Sequence, residues 1–433
     1  MIGESMAEGA INFAGLTRQQ FSDLARNFQT ANFSDDPLVL MRRFHLMFER
    51  AEPNGHAQQK LGMGPADWFS RIAGIEPRWY RILQLVAMSH ASGFRLEEPD
   101  LRRLVYDLDR ALERMAPTMA IAYRELHQLA VGEKDMPDNE FHDWSAVLFG
   151  SYYLRRRPVL RLSGEKYLCL HKQLFIERFF GGTVHVLADL VTKGCPPSWH
   201  VDPRNRTSRV RTEFGVIFED FIQRLIKIIF HGTNAVFRFN VKPDCGGECD
   251  AVLVIDETAL VIEVVHHPWS IEERYRASPS DFIKHLEDNV RKSTKLSTEL
   301  TIRGSLADDP RVRVARAFPI TIMAEAMPIN HMTAATFESE LISVVGEGPV
   351  KGTDRVLPVQ SLSVTQLENL DRAWTDNPRQ ILTLLERRAG DPLQRFNANP
   401  NMGWTLGPWR YLDQIDDEAQ RSLQEIGPAA FLN

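Results

Sequence analysis

The chain is poor in cysteine, lacks any surplus of positive charge and contains no long apolar run. Four cysteines in 433 residues do not make a disulfide framework, so a reducing, cytoplasmic setting is the simplest expectation. A net charge of −6 excludes a global basic field, and any nucleic-acid contact has to come from a local patch. No stretch reaches the run of about 18 apolar residues that reads as a membrane helix. Met1-Ile2-Gly3-Glu4-Ser5 has neither the basic nor the apolar segment of a secretory signal. Internal repeats and low-complexity tracts are also missing, which excludes solenoids and compositional linkers.

The composition is that of an ordinary globular protein, with 43% apolar and 25% charged residues. The length suits two or three domains. Residues 1–35 are polar and small and are expected to be loosely held. A helical domain is predicted over 36–137, where Leu38, Leu40, Met41, Phe44 and Phe48 fall near a 3.6 period. The stretches Trp79 to Phe94 and Leu101 to Leu129 read the same way, the second started by Pro99-Asp100 and kinked at Pro117. A mixed connecting region follows over 138–208. In it Pro158 to Leu162 and Lys166 to Leu170 predict a hairpin about Ser163-Gly164, and Leu174 to Val191 predicts a helix.

An α/β domain is expected over 209–395, with a tail over 396–433. Its elements read as a helix at about 212–230, strands at about 236–241, 249–255 and 259–266, and a charged helix at about 280–300. A strand at about 312–323, a helix near 333–345 and a strand at about 355–362 complete it. Asn377 caps a last helix that has Pro378 at its first position. This order predicts a mixed sheet flanked by helices.

Two acidic residues stand inside the apolar runs of the central hairpin. Asp250 opens the run Ala251 to Ile255, a turn follows at Asp256-Glu257-Thr258, and Glu263 lies within Ala259 to Val265. Strands joined by a tight turn bring Asp250 and Glu263 to one end of the hairpin. Burying carboxylates there is costly unless something neutralises them, and a divalent metal ion is the usual neutraliser.

The pattern resembles the PD-(D/E)XK, or restriction-endonuclease-like, nuclease superfamily, whose signature is Asp, a spacer, then Glu-x-Lys. Phe214-Gly215-Val216-Ile217-Phe218-Glu219 matches the acidic helix that precedes the hairpin in many members. The resemblance covers about residues 209–370 and implies a metal-dependent nuclease acting on DNA, with a role in defence against foreign DNA. It implies Mg²⁺ or Mn²⁺ held by Asp250, Glu263 and Glu219, since hard cations prefer carboxylate oxygen, and a metal-generated hydroxide as attacking group. The chain departs from the pattern at Val265, which occupies the lysine position. Val has neither charge nor hydrogen-bond donor. Surrogates for the lysine are His267, which shares the Glu263 face if the strand continues, and Lys284 on the following helix, with Lys242 a weaker rival.

Plainer readings stand beside these. Glu263 reads also as a strand carboxylate paired with a nearby base, Asp250 as a strand-start cap, and Glu219 as a helix-surface charge. Asp244 reads as a turn residue. Cys245, Cys249, Cys195 and His200 make a zinc reading of unfamiliar spacing, and Cys249 is expected to face the apolar side opposite Asp250. Arg204, Arg206, Arg209 and Arg211, just before the Glu219 helix, are candidate phosphate contacts or a solvated loop. Two functions stay open: a metal-dependent DNA nuclease, or a catalytically degenerate relative that binds nucleic acid or a protein partner, the latter through the helical N-terminal region. A helical interaction protein with an incidental hairpin is a third. The residues predict no membrane partner and leave the oligomeric state open.

Overall fold

The computed structural model describes residues 37–52, 54–81, 105–107, 124, 127–128, 131–132, 159–163, 166–169, 177–193, 202–242, 248–266, 279–324, 334–373, 377–396, 409–415 and 417. The chain divides into two compact units, Ser34–Gly232 with Pro408–Asn433 and, separately, Thr233–Gly407. The division falls after residue 232, so the helix expected at the head of the α/β domain belongs to the first unit. Among the described residues no helix is long and apolar enough to cross a membrane.

The first unit starts with α1 (Pro37–Phe44), which runs into a π-helical turn at His45–Glu49, then α2 (His56–Leu61) and α3 (Pro65–Ala73). Phe44 is its aromatic hub, with ring centroids 5.0 Å from Phe48, 5.4 Å from Phe69, 5.3 Å from Tyr80 and 5.6 Å from Phe180. A small sheet has the order β1 (Val105–Asp107), β4 (Lys166–Cys169), β3 (Val159–Ser163), β2 (Val131–Gly132). The expected β3–β4 hairpin is present. The helix expected over 101–129 is corrected at its start, because Val105 and Tyr106 pair antiparallel with Leu168 and Tyr167. A β-branched and an aromatic residue gain more from cross-strand packing than from local helical periodicity. Pro117 and most of Trp79 to Phe94 lie outside the described residues.

Two helices follow, α4 (Thr183–Lys193) and α5 (Arg206–Ile229). The stripe Phe214, Phe218, Phe221 and Leu225 of α5 is buried, as its helical spacing demands. A charged pair is buried with it. Arg224 donates through Nε to Asp220 Oδ2 at 2.9 Å and through Nη1 to the carbonyls of Leu46 and Arg50. Asp220 Oδ1 also accepts from the Ala57 amide at 3.2 Å. Asp220 thus ties α5 to the start of α2, where Gly55 is needed because a Cβ there would stand 2.7 Å from Asp220 Oδ1.

The second unit is a five-stranded mixed sheet flanked by helices, in the order β5 (Val236–Val241), β6 (Cys249–Ile255), β7 (Thr258–Val265), β8 (Arg316–Met323), β9 (Gln360–Ser363). The first three strands form an antiparallel meander, and β8 and β9 join parallel. A parallel neighbour needs a crossover, which α6 (Pro279–Arg303) supplies between β7 and β8, and α7 (Ala334–Val345) with α8 (Glu347–Lys351) between β8 and β9. Central β7 is buried along its whole length, which explains its nearly unbroken apolar sequence. The closing helices are α9 (Val364–Ala373), α10 (Arg379–Ala389) and α11 (Pro392–Phe396). Asn377 accepts from the Arg379 amide at 2.9 Å, the capping contact expected of it. β8 and β9 begin later than the sequence suggests, with only an isolated Ala317–Val356 bridge ahead of β9.

The β6–β7 turn is a two-residue loop between Ile255 and Thr258, with positive φ at both Asp256 (44°) and Glu257 (62°). That is the hairpin turn whose twist suits the strands, and it favours glycine at its second position. Glu257 is exposed, so Glu257→Gly is expected to stabilise the protein by about 0.5–1 kcal/mol, read as a higher midpoint in thermal unfolding. Asp220→Ala has the opposite consequence. It strands the Arg224 charge in the interior and is expected to cost about 3–5 kcal/mol by the same measurement.

Candidate functional site

The turn at Asp256-Glu257 sets the register of β6 on β7, which runs from Ile255 opposite Thr258 to Ala251 opposite Ile262. The ladder ends there, one residue short of Asp250 on β6 and of Glu263 on β7, so both carboxylates stand at the same end of the hairpin. Glu263 is 2% exposed. It lies on the sheet face covered by α6, between two apolar clusters. One contains Val265 and Met323 under Phe282, Ile283, Leu286 and Val290. The other contains Val252, Val254 and Val261 under Leu296 and Leu300.

Asp250 Oδ2 accepts a hydrogen bond from the Val264 amide at 2.6 Å. The Cys249 thiol has the Ile262 carbonyl at 3.2 Å and the Ala251 carbonyl at 3.5 Å as hydrogen-bond acceptors. Burial first, and then the negative charges of Glu263 and Asp250, hold that thiol well above its ordinary value. This corrects the expectation that Cys249 faces the apolar side away from the carboxylates. It belongs to the same buried cluster as Val252 and Val261, and its thiol reaches the Ile262 carbonyl.

Two further polar residues extend the row. Thr321 on β8 pairs with Glu263, and Ser361 on β9 pairs with Thr321. Thr321 is 1% exposed, and its hydroxyl has no hydrogen-bond partner among the described residues. Neither residue stands out in the linear sequence. The available signal was the alternation Ala317, Pro319, Thr321, Met323, in which a single hydroxyl interrupts an otherwise apolar face.

The remaining candidates are placed as follows. Glu219 belongs to the first unit, where it pairs with His56 Nε2 at 3.0 Å. Lys284 is on the exposed side of α6, as are Lys292 and Lys295, and Lys242 is exposed at the end of β5. His267 lies outside the described residues, as do Asp244, Cys245, Cys195 and His200. Arg204, Arg209 and Arg211 are exposed at the head of α5, and Arg206 is half-buried. Arg209 is ion-paired with Glu213 at 2.5 Å, and the other Glu213 oxygen accepts from Trp68 Nε1 at 2.6 Å.

A magnesium-type cation takes an octahedral shell of oxygens and usually keeps several waters. Asp250 and Glu263 supply part of such a donor set. One Asp250 oxygen is already engaged by a backbone amide, Glu263 is sealed beneath α6, and the neighbouring thiol is a ligand for softer metals. Among the described residues no group of three or more His, Cys, Asp and Glu side chains is gathered to hold a metal ion.

No protein-family model and no curated protein sequence matches the chain. Among solved structures, the small subunit of the heterodimeric restriction endonuclease R.BspD6I is similar at 14% identity with a TM-score of 0.21, over 56% of this chain and 98% of that one. That likeness is weak, and the reading of the site rests on the residues themselves.

Buried and held protonated, Cys249 is expected to resist alkylation in the native protein. Peptide mapping after iodoacetamide treatment at pH 8 should find it unmodified, and modified once the chain is unfolded. Because its folded value is raised, stability is unaffected below the ordinary thiol value of 9.0. It falls as pH climbs beyond that, when only the unfolded chain gains by ionising.

Proposed function

We propose that this protein has a restriction-endonuclease-like fold and binds nucleic acid without cutting it. The observation that carries this reading is Val265. In the resembled superfamily that position holds the lysine that orients the attacking water. Here it is 7% exposed and packed with Phe282, Ile283, Leu286 and Met323. An ammonium group could not replace it without entering hydrocarbon, which is costly. The fold half of the proposal is supported by the element order, a three-strand meander followed by helix, parallel strand, helix and parallel strand.

The binding half is supported by the head of α5. A tight turn over Pro203–Asn205 leads into α5 and is capped by Asp202, which accepts from the Arg204 amide at 2.9 Å, so the positive charge at this end is that of the arginine side chains. Arg204, Arg206, Arg209 and Arg211 surround that end. Arg204 is 92% exposed, with Asp202 3.8 Å away. These residues suit phosphates of a nucleic-acid backbone, a contact that positions without reading sequence.

The cutting alternative would place Mg²⁺ or Mn²⁺ on Asp250 and Glu263. What favours it is that both carboxylates stand at one end of the hairpin, each one residue beyond its last backbone pair.

The test has two arms. Linear, supercoiled and single-stranded DNA are incubated with the protein and Mg²⁺ or Mn²⁺, beside Glu263→Ala. The expectation is no cutting by either, and cutting by the wild type that the mutant loses would reverse the reading. Binding to the same DNAs is followed by fluorescence anisotropy in a salt series. The double substitution Arg204→Ala, Arg211→Ala is expected to weaken binding about tenfold and to lower the salt slope by about 2. Unchanged binding would remove α5 from the interface.

A further inference from the structure

We propose that the side chains of Cys249 and Asp250 form a metal-free joint that closes the open end of the β6–β7 ladder. The proposal deepens the non-cutting reading by saying what Asp250 does instead of holding a cation.

Position 250 is where backbone pairing fails on both sides of β6. Toward β5 the ladder passes from Phe239 opposite Ala251 to Val241 opposite Cys249, skipping Asn240, whose φ is 54°. Toward β7 the ladder stops at Ala251 opposite Ile262, although β7 continues to Val265. Past that point the main-chain groups of β7 that face β6, the Val264 amide first among them, need partners that are not strand backbone, since buried main-chain groups are almost always paired.

The side chains at the head of β6 supply them. Asp250 Oδ2 takes the Val264 amide at 2.6 Å, and the Cys249 thiol takes the Ile262 carbonyl at 3.2 Å. An acceptor and a donor thus act side by side at one strand end. A charge-assisted bond from a backbone amide is among the stronger contacts a carboxylate can make. A cation bound there would compete for the oxygen that now completes the sheet.

The full-length protein is compared with Asp250→Asn and Asp250→Ala in thermal unfolding, and Mn²⁺ binding is counted from the loss of the free-ion electron paramagnetic resonance signal. Asparagine keeps an acceptor oxygen in the same place, so Asp250→Asn is expected to melt within about 2 °C of the wild type, and Asp250→Ala about 5 °C lower. No Mn²⁺ that depends on Asp250 is expected to bind. One Mn²⁺ per chain, bound by the wild type and lost in Asp250→Asn, would overturn the joint, as would an Asp250→Ala protein that melts like the wild type. Should Asp250→Ala fail to fold, the Asp250→Asn comparison still decides. DNA cleavage measured on the same samples keeps the two readings apart. Mn²⁺ bound without cutting removes the joint and leaves the non-cutting reading in place, whereas cutting removes that reading itself.

Discussion

Ile255 faces Thr258 across a two-residue loop, and the register this imposes governs everything built on the second unit. Side chains alternate faces along a strand, so a slip of one residue would exchange the buried and outward sets along the whole of β6. The register puts Val252, Val254 and Val261 under α6, brings Glu263 to the end of β6 and sets Val265 beside Met323. Parallel pairing of β7 with β8 then adds Thr321, and β9 adds Ser361. The acidic pair, its thiol neighbour and the polar row beyond it are consequences of one turn geometry, held by two non-glycine residues in the left-handed region.

Burying a carboxylate between two apolar clusters is expensive, and the chemistry beside Glu263 shows how that cost is offset. The neighbouring Cys249 thiol is kept neutral by burial, and Asp250 directs part of its own charge into a backbone amide. The lysine position of the resembled superfamily has no comparable polar surroundings, because Val265 closes the apolar cluster beneath Phe282 and Leu286. Polar and apolar strata therefore alternate along the same groove between β7 and α6. The stratum that would have to hold the catalytic cation is the apolar one.

The first unit keeps a charge economy of its own. Asp220 and Arg224 are both buried on α5 and share their remaining capacity with backbone groups near Leu46 and Ala57. Glu49 similarly receives Arg81 at 2.6 Å and His45 at 2.9 Å. Glu219, one residue before Asp220, is committed to His56. With its buried face and its carboxylates engaged in this way, α5 presents positive charge at its exposed head. That asymmetry, rather than the overall charge of −6, is what a polyanion would meet.

Much of the second unit was legible in the chain. Local signals were strong where periodicity, turn residues and length agreed. The edges of β5 and β6, the crossover helix and the Asn377 cap all follow from near-neighbour chemistry, and the arrival of Asp250 and Glu263 at one hairpin end follows from the turn. Val265 could be read at once as the missing cation. What the sequence could not decide depended on distant partners. Val105 and Tyr106 have helical spacing, yet they become a strand because Tyr167 and Leu168 are there to pair with. Cys249 should by alternation have faced away from Val252 and Val261, yet it is buried in one cluster with them. Local backbone preference is written in short stretches of residues. Which side chains meet is set by packing energies that no short stretch contains.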